Sequence, residues 1–94
     1  IRMKLIIKHN PHISHPYLVQ QDIEYHNDET KYRRTTAQQP IFDEDLVTET
    51  LAWARERGLN VLVARGWRGD PYAFAFVSEA EAEYFMLGRN QYAE

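Results

Sequence analysis

Three histidines recur at every third residue near the start of the chain. His9, His12 and His15 all lie in the segment 9–16, which also contains Pro11 and Pro16. Imidazole is a good ligand for zinc and other transition metals, so a metal site is one interpretation of this spacing. The two prolines favour an extended backbone, however, in which neighbouring imidazoles can point apart. We therefore favour a polar surface loop and expect no cofactor.

Two other clusters combine basic and aromatic side chains. The first contains Arg65, Trp67 and Arg68, and the second is made of Lys31, Tyr32, Arg33 and Arg34. Trp and Arg are enriched at the energetic centres of protein interfaces, so the first cluster predicts contacts with a protein partner. Guanidinium groups also bind phosphates and aromatic rings stack on unpaired bases, so the alternative is a nucleic-acid surface made of Lys31, Tyr32, Arg33, Arg34 and Arg68. In a third interpretation, Trp67 folds back over the edge of the core and the arginines pair with local acids.

Catalytic patterns have little support. The chain has no cysteine, and its two serines are Ser14 and Ser78. No set of nucleophile, base and orienting group is visible, and no phosphate-binding or zinc-protease motif occurs. We therefore expect a protein that is not an enzyme.

Composition is that of one small globular domain. The 94 residues are 44% hydrophobic and carry a formal net charge of −3, which does not suggest a general nucleic-acid binder. No apolar run approaches the roughly 18 residues that span a bilayer, so we expect no membrane partner. Without cysteines or a signal-peptide pattern, a cytoplasmic location is predicted.

The N-terminal half predicts three strands. Met3, Leu5 and Ile7 alternate with Lys4, Ile6 and Lys8, as in a strand with one well-buried face. Segments 19–26 and 31–36 are predicted to pair as a hairpin around a turn at 27–30, where Asn and Asp favour turn geometry.

The next segment predicts a helix followed by two strands. Asp43 can cap the helix, Phe42 and Val47 can form a hydrophobic staple, and Gly58 can end it. Alternating apolar residues then predict strands at 59–63 and 72–76, joined by an exposed loop at 66–71. The alanines between the aromatic residues of the second strand predict that a helix packs closely on their side.

A second helix is predicted from Ser78, where Ser and Glu81 match a capping box, to about Leu87, with Gly88 as its end. It carries two apolar stripes, one made of Ala80, Tyr84 and Leu87 and the other of Ala82, Phe85 and Met86. Either both stripes are buried, or one faces a partner. Tyr84 and Met86 are our candidates for a homodimer surface.

The predicted order is therefore β-β-β-α-β-β-α. Such an order favours an α+β fold with a mostly antiparallel sheet of four or five strands and both helices on one face, ferredoxin-like in style.

The stretch from Tyr72 to Phe85 resembles the ending of many small bacteriophage accessory proteins, in which an aromatic-rich strand runs into a short acidic, Ala-rich helix. This resemblance implies a phage-encoded protein that acts on host or virion machinery, in the host cytoplasm. Together with the missing catalytic set, it favours a protein-binding or regulatory module, such as an inhibitor of a host complex. The contacts would come from Arg65, Trp67, Arg68, Tyr84 and Met86.

Overall fold

A computed structural model describes residues 4–22 and 41–90 of the chain. The elements in these ranges are β1 (Leu5–His9), β2 (Tyr17–Gln21), α1 (Glu44–Glu56), β3 (Val61–Arg65), β4 (Pro71–Phe76) and α2 (Glu79–Asn90). The predicted strand at 31–36 and its turn at 27–30 lie outside the described residues.

The four strands form one antiparallel sheet in the order β1-β2-β4-β3. Strand β2 pairs with β1 along its length and with β4 over 17–19, so its first three residues have neighbours on both sides. Because β2 and β3 are both antiparallel to β4, these two strands run parallel to each other with β4 between them. The α+β class with an antiparallel sheet is confirmed, and the described order is β-β-α-β-β-α.

Both helices pack on the same face of this sheet, as predicted. Helix α2 covers β1, β2 and β4, while α1 lies over β3. Phe85 of α2 meets Phe74 and Phe76 of β4, with ring centroids 5.1 and 5.0 Å apart. The buried core comprises Leu5, Val19, Phe42, Val47, Ala54, Val61, Phe74, Phe76, Ala82 and Phe85.

The alanines of β4 lie on the opposite face of the sheet from the two helices. Ala73 and Ala75 are buried there in a small second cluster with Leu18. The two described helices pack against the phenylalanines of β4, so the prediction that a helix packs against these alanines stays a prediction. Burial of large aromatic surface stabilises that arrangement more than contact with alanine would.

Helix α1 begins as predicted. The Asp43 carboxylate accepts a hydrogen bond from the Asp45 N–H at 3.0 Å, and Phe42 and Val47 are both buried beneath this first turn. The chain leaves the helix through Gly58, where φ is +73°. Thr50 is buried on the inward face of α1, and its hydroxyl has no hydrogen-bond partner among the described residues.

Helix α2 differs from the prediction at both ends. The Ser78 hydroxyl accepts from the Glu81 N–H at 3.3 Å, but the Glu81 carboxylate accepts from the Asn60 N–H at 3.0 Å and so ties the helix to the start of β3. The helix also continues through Gly88 to Asn90. Neither helix of the described part is long and apolar enough to cross a membrane.

Candidate functional site

The loop between β3 and β4 forms a tight hairpin tip, which we define as residues 65–70. The Gly66 N–H donates to the Asp70 carbonyl at 2.9 Å, and the Gly69 N–H donates to the Gly66 carbonyl at 2.9 Å. Gly69 has a φ of +89°, a conformation that L side chains rarely adopt. These local bonds hold the backbone of the tip in a defined shape.

Arg65 anchors the tip to the first turn of α1. Its guanidinium donates to both oxygens of Glu44, at 2.7 Å to Oε2 and 3.2 Å to Oε1, and also to the Gly69 carbonyl at 2.8 Å. The hydrogen bond from Arg65 lowers the pKa of the Glu44 carboxyl below its ordinary value, even though both side chains face solvent. Arg65 therefore positions the tip, and its charge is already paired within the molecule.

Trp67 stands out from the surface at the end of this tip. Its side chain is 90% exposed, the largest exposure of any large apolar residue in the described part. The Arg68 guanidinium lies 4.8 Å from the centroid of the Trp67 ring, within the range of a cation–π contact. The interpretation in which Trp67 folds back over the core was therefore wrong, although Arg65 does pair with a local acid.

The second basic-aromatic cluster, Lys31, Tyr32, Arg33 and Arg34, lies outside the described residues. Its position relative to the tip therefore stays a prediction. Within the tip itself, Arg68 forms no ion pair with an acidic side chain of the described residues. The carboxylate of Asp70, two residues further along the tip, is exposed. The tip alone thus has little net positive charge.

The histidine segment links β1 to β2. The His9 ring stacks on Tyr17, with centroids 4.7 Å apart, and His15 Nδ1 lies 3.1 Å from the Ser14 hydroxyl. The side chain of His12 is exposed, and the backbone N–H of His12 donates to the side-chain oxygen of Asn10. Across the described ranges, no three His, Asp or Glu side chains come close enough to share a metal ion.

The structure separates the two residues that we considered for a homodimer. Tyr84 is 53% exposed and lies on the outer side of α2, whereas Met86 is half-buried and packs against the core. Positions 84 and 86 differ by about 200° around a helix, so they cannot contribute to one flat surface. Leu87, which is 63% exposed, is the apolar neighbour of Tyr84 on the outer side.

Sequence reasoning missed the role of Glu44. An acidic residue in the first turn of a helix is already explained by capping and by the helix dipole, so nothing marked it as the partner of Arg65. The two residues are 21 positions apart and meet because α1 lies over β3. No local sequence pattern therefore predicts that Glu44 and Arg65 form a pair.

Fold and site together define a small α+β domain that presents a braced hairpin with an exposed Trp. Comparison of the chain with protein-family models, curated proteins and solved structures found no match. The resemblance of the C-terminal stretch to phage accessory proteins stays a prediction.

Proposed function

We propose that the protein is a non-enzymatic protein-binding module that inserts Trp67 into an apolar pocket of its partner. The observation that carries this proposal is the 90% exposure of Trp67 on a tip whose backbone is already ordered. Exposing a large aromatic side chain is unfavourable in a free monomer, and binding removes that cost.

The available free energy is large enough for recognition. A Trp side chain buries about 150–250 Å², which corresponds to roughly 4–6 kcal/mol of transfer free energy. The bonds from Arg65 to Glu44 and to the Gly69 carbonyl reduce the entropy that the tip would lose on binding. Arg68 lies against the Trp67 ring and can donate to a carboxylate at the rim of the pocket.

The resemblance of the C-terminal stretch to small bacteriophage accessory proteins suggests that this protein binding has a regulatory role. A phage-encoded protein of this kind would modulate a component of host or virion machinery in the host cytoplasm, and a bacterial lysate is therefore the appropriate source of partners.

Nucleic acid is the alternative ligand, because Trp67 could stack on an unpaired base. The pairing of Arg65 with Glu44 argues against it, since that charge is no longer available to a phosphate. Nucleic-acid binding would weaken steeply with salt as phosphate contacts release counterions, whereas insertion of Trp67 into an apolar pocket would not.

The test is an affinity capture from bacterial lysate with three forms of the tagged chain: wild type, Trp67→Ala and Leu62→Ala. Leu62 is 50% exposed on β3 and serves as the control for loss of an exposed apolar side chain. A stoichiometric protein that the wild type and Leu62→Ala retain, that Trp67→Ala loses and that nuclease does not release would support the proposal.

Two results would contradict it. Equal capture by wild type and Trp67→Ala would show that the tip is not the binding site. Bound nucleic acid that nuclease removes would instead favour the alternative.

Thermal melting of Trp67→Ala should match the wild type, because the ring makes few contacts with the rest of the domain.

A further inference from the structure

The outer side of α2 carries an apolar strip that is separate from the hairpin tip. Ala80, Tyr84 and Leu87 succeed one another at intervals of four and three residues, so they share one face of the helix. All three are exposed, Tyr84 to 53% and Leu87 to 63%. The Tyr84 ring stacks on Trp53 of α1, with centroids 6.4 Å apart, and this contact extends the strip onto the neighbouring helix.

The two borders of this strip carry opposite charges. At about 100° per residue, Glu83 lies on one side of Leu87 and Tyr84 lies on the other. Beyond Tyr84, the Arg57 guanidinium lies 4.3 Å from the centroid of the Trp53 ring. The strip therefore has an acidic border at the exposed Glu83 and a basic border at the exposed Arg57, whose guanidinium also lies 3.8 Å from the exposed carboxylate of Glu56.

We propose that a second copy of this chain docks on the strip, with the two α2 helices parallel around a two-fold axis. Rotation about an axis parallel to the helices brings the acidic border of each copy against the basic border of the other, so that Glu83 faces Arg57 twice. An antiparallel pair would instead bring Glu83 against Glu83 and Arg57 against Arg57, which like-charge repulsion disfavours. The small side chain of Ala80 lets the helices approach closely.

This arrangement places both hairpin tips at the same end of the dimer. Asn60, just before β3, donates to Glu81 in the first turn of α2, so α2 starts at the end of the sheet opposite the tip. Copies related by an axis parallel to α2 then direct their tips the same way. A dimer could engage two sites of a partner at once, and this consequence, unlike the dimer itself, rests on the proposed function.

Sedimentation equilibrium of the full chain, from about 1 μM to about 1 mM, tests the dimer directly. We expect a reversible monomer–dimer equilibrium for the wild type and at least a tenfold weaker association for Leu87→Glu. Leu62→Glu is the control, because it places the same charge on an exposed leucine of β3. A wild type that stays monomeric over the whole range overturns the proposal, as does dissociation by Leu62→Glu but not by Leu87→Glu.

A charge exchange tests the parallel arrangement. Glu83→Arg and Arg57→Glu should each weaken self-association, because each homodimer would then contain two like-charged pairs. A mixture of the two variants should associate again, since both pairs of the mixed dimer are opposite in charge. Single variants that associate as tightly as the wild type overturn the parallel arrangement.

Arg57 also donates to the Trp53 carbonyl at 3.0 Å, so circular dichroism must show that Arg57→Glu is folded. Glu83 is exposed and makes no such bond in the described part, so Glu83→Arg tests the arrangement even if the other variant unfolds.

Discussion

The Trp53 ring of α1 lies directly against the backbone of α2 at Gly88. A Cβ atom at position 88 would stand 2.8 Å from Cη2 and 2.9 Å from Cζ2 of Trp53, which is closer than such atoms approach in folded proteins. Phe85 meets the Trp53 ring edge-on at 5.9 Å and Arg57 covers it at 4.3 Å, so the ring has little room to shift. Gly88 therefore permits a helix–helix contact and does not end the helix.

Replacing Gly88 with Ala should destabilise the fold. In an open helix this change would stabilise by about 1 kcal/mol through helix propensity, whereas overpacking a filled contact costs about 1–3 kcal/mol. Because the Trp53 ring is held on several sides, we expect the second effect to dominate and the melting temperature to fall. Urea unfolding of both proteins gives the difference in free energy.

Trp53→Phe provides the control for this prediction. A phenyl ring lacks the Cζ2 and Cη2 atoms that approach position 88, so Gly88→Ala in that background should be neutral or stabilising. The same loss of stability in both backgrounds would show that Trp53 is not the cause.

Thr50→Val should stabilise the protein by about 1 kcal/mol, because a buried hydroxyl without a partner carries an uncompensated desolvation cost. Thr50 is 2% exposed, and its Oγ1 has no partner among the described residues. Thr48→Val is the matched control, since Thr48 is exposed on the same helix and should change stability little. A loss of stability in Thr50→Val, measured by urea unfolding, would mean that the hydroxyl is bonded.

The bond between Glu44 and Arg65 should make the order of the hairpin tip dependent on pH. Arg65 lowers the pKa of the folded Glu44 carboxyl below its ordinary value of 4.5. The contribution of this bond is therefore present at neutral pH and is lost as the pH falls through the lowered pKa. Carboxyl ¹³C NMR should show a Glu44 midpoint below 4.5 in the wild type and a higher midpoint in Arg65→Gln. Equal midpoints in the two proteins would contradict the pairing in solution.

Gly69→Ala should destabilise the hairpin tip by about 1 kcal/mol, because an alanine at positive φ is strained. Gly69 has φ +89°, whereas Gly66 in the same loop does not have a positive φ and would place a Cβ 4.0 Å from the Asp70 carbonyl oxygen. Gly66→Ala should therefore leave the melting temperature nearly unchanged. If Gly69→Ala and Gly66→Ala lowered the melting temperature by similar amounts, residue 69 would not adopt a positive φ in solution.

The first helix shows how far sequence reasoning extends. Its cap at Asp43, the buried pair Phe42 and Val47, and its end at Gly58 were all predicted, because each depends on residues within one or two turns of each other. The alternation in β1 and β4 likewise predicted the burial of Leu5, Phe74 and Phe76, but not that of Ala73 and Ala75 on the opposite face of β4. Such local signals were also sufficient for the α+β class.

Contacts between distant residues were beyond this reasoning. Gly88 has the sequence signature of a helix end, and only the position of Trp53, 35 residues earlier, shows that it serves a close contact. The Glu81 carboxylate had a local partner in the predicted capping box, yet it accepts a bond from Asn60 once β3 lies alongside. In both cases a local explanation was chemically adequate, and the competing partner became available only through packing.

The sequence by itself determined the presence of the two described helices, the approximate positions of the four described strands and the types of residue at the hairpin tip, because local hydrogen bonding and the period of apolar residues decide these features. Tertiary structure alone decided that Trp67 projects into solvent while Arg65 turns back to Glu44, and that Tyr84 faces outward while Met86 packs inward. The reason is that exposure depends on which surfaces the sheet and helices cover. That depends on contacts between segments far apart in the chain.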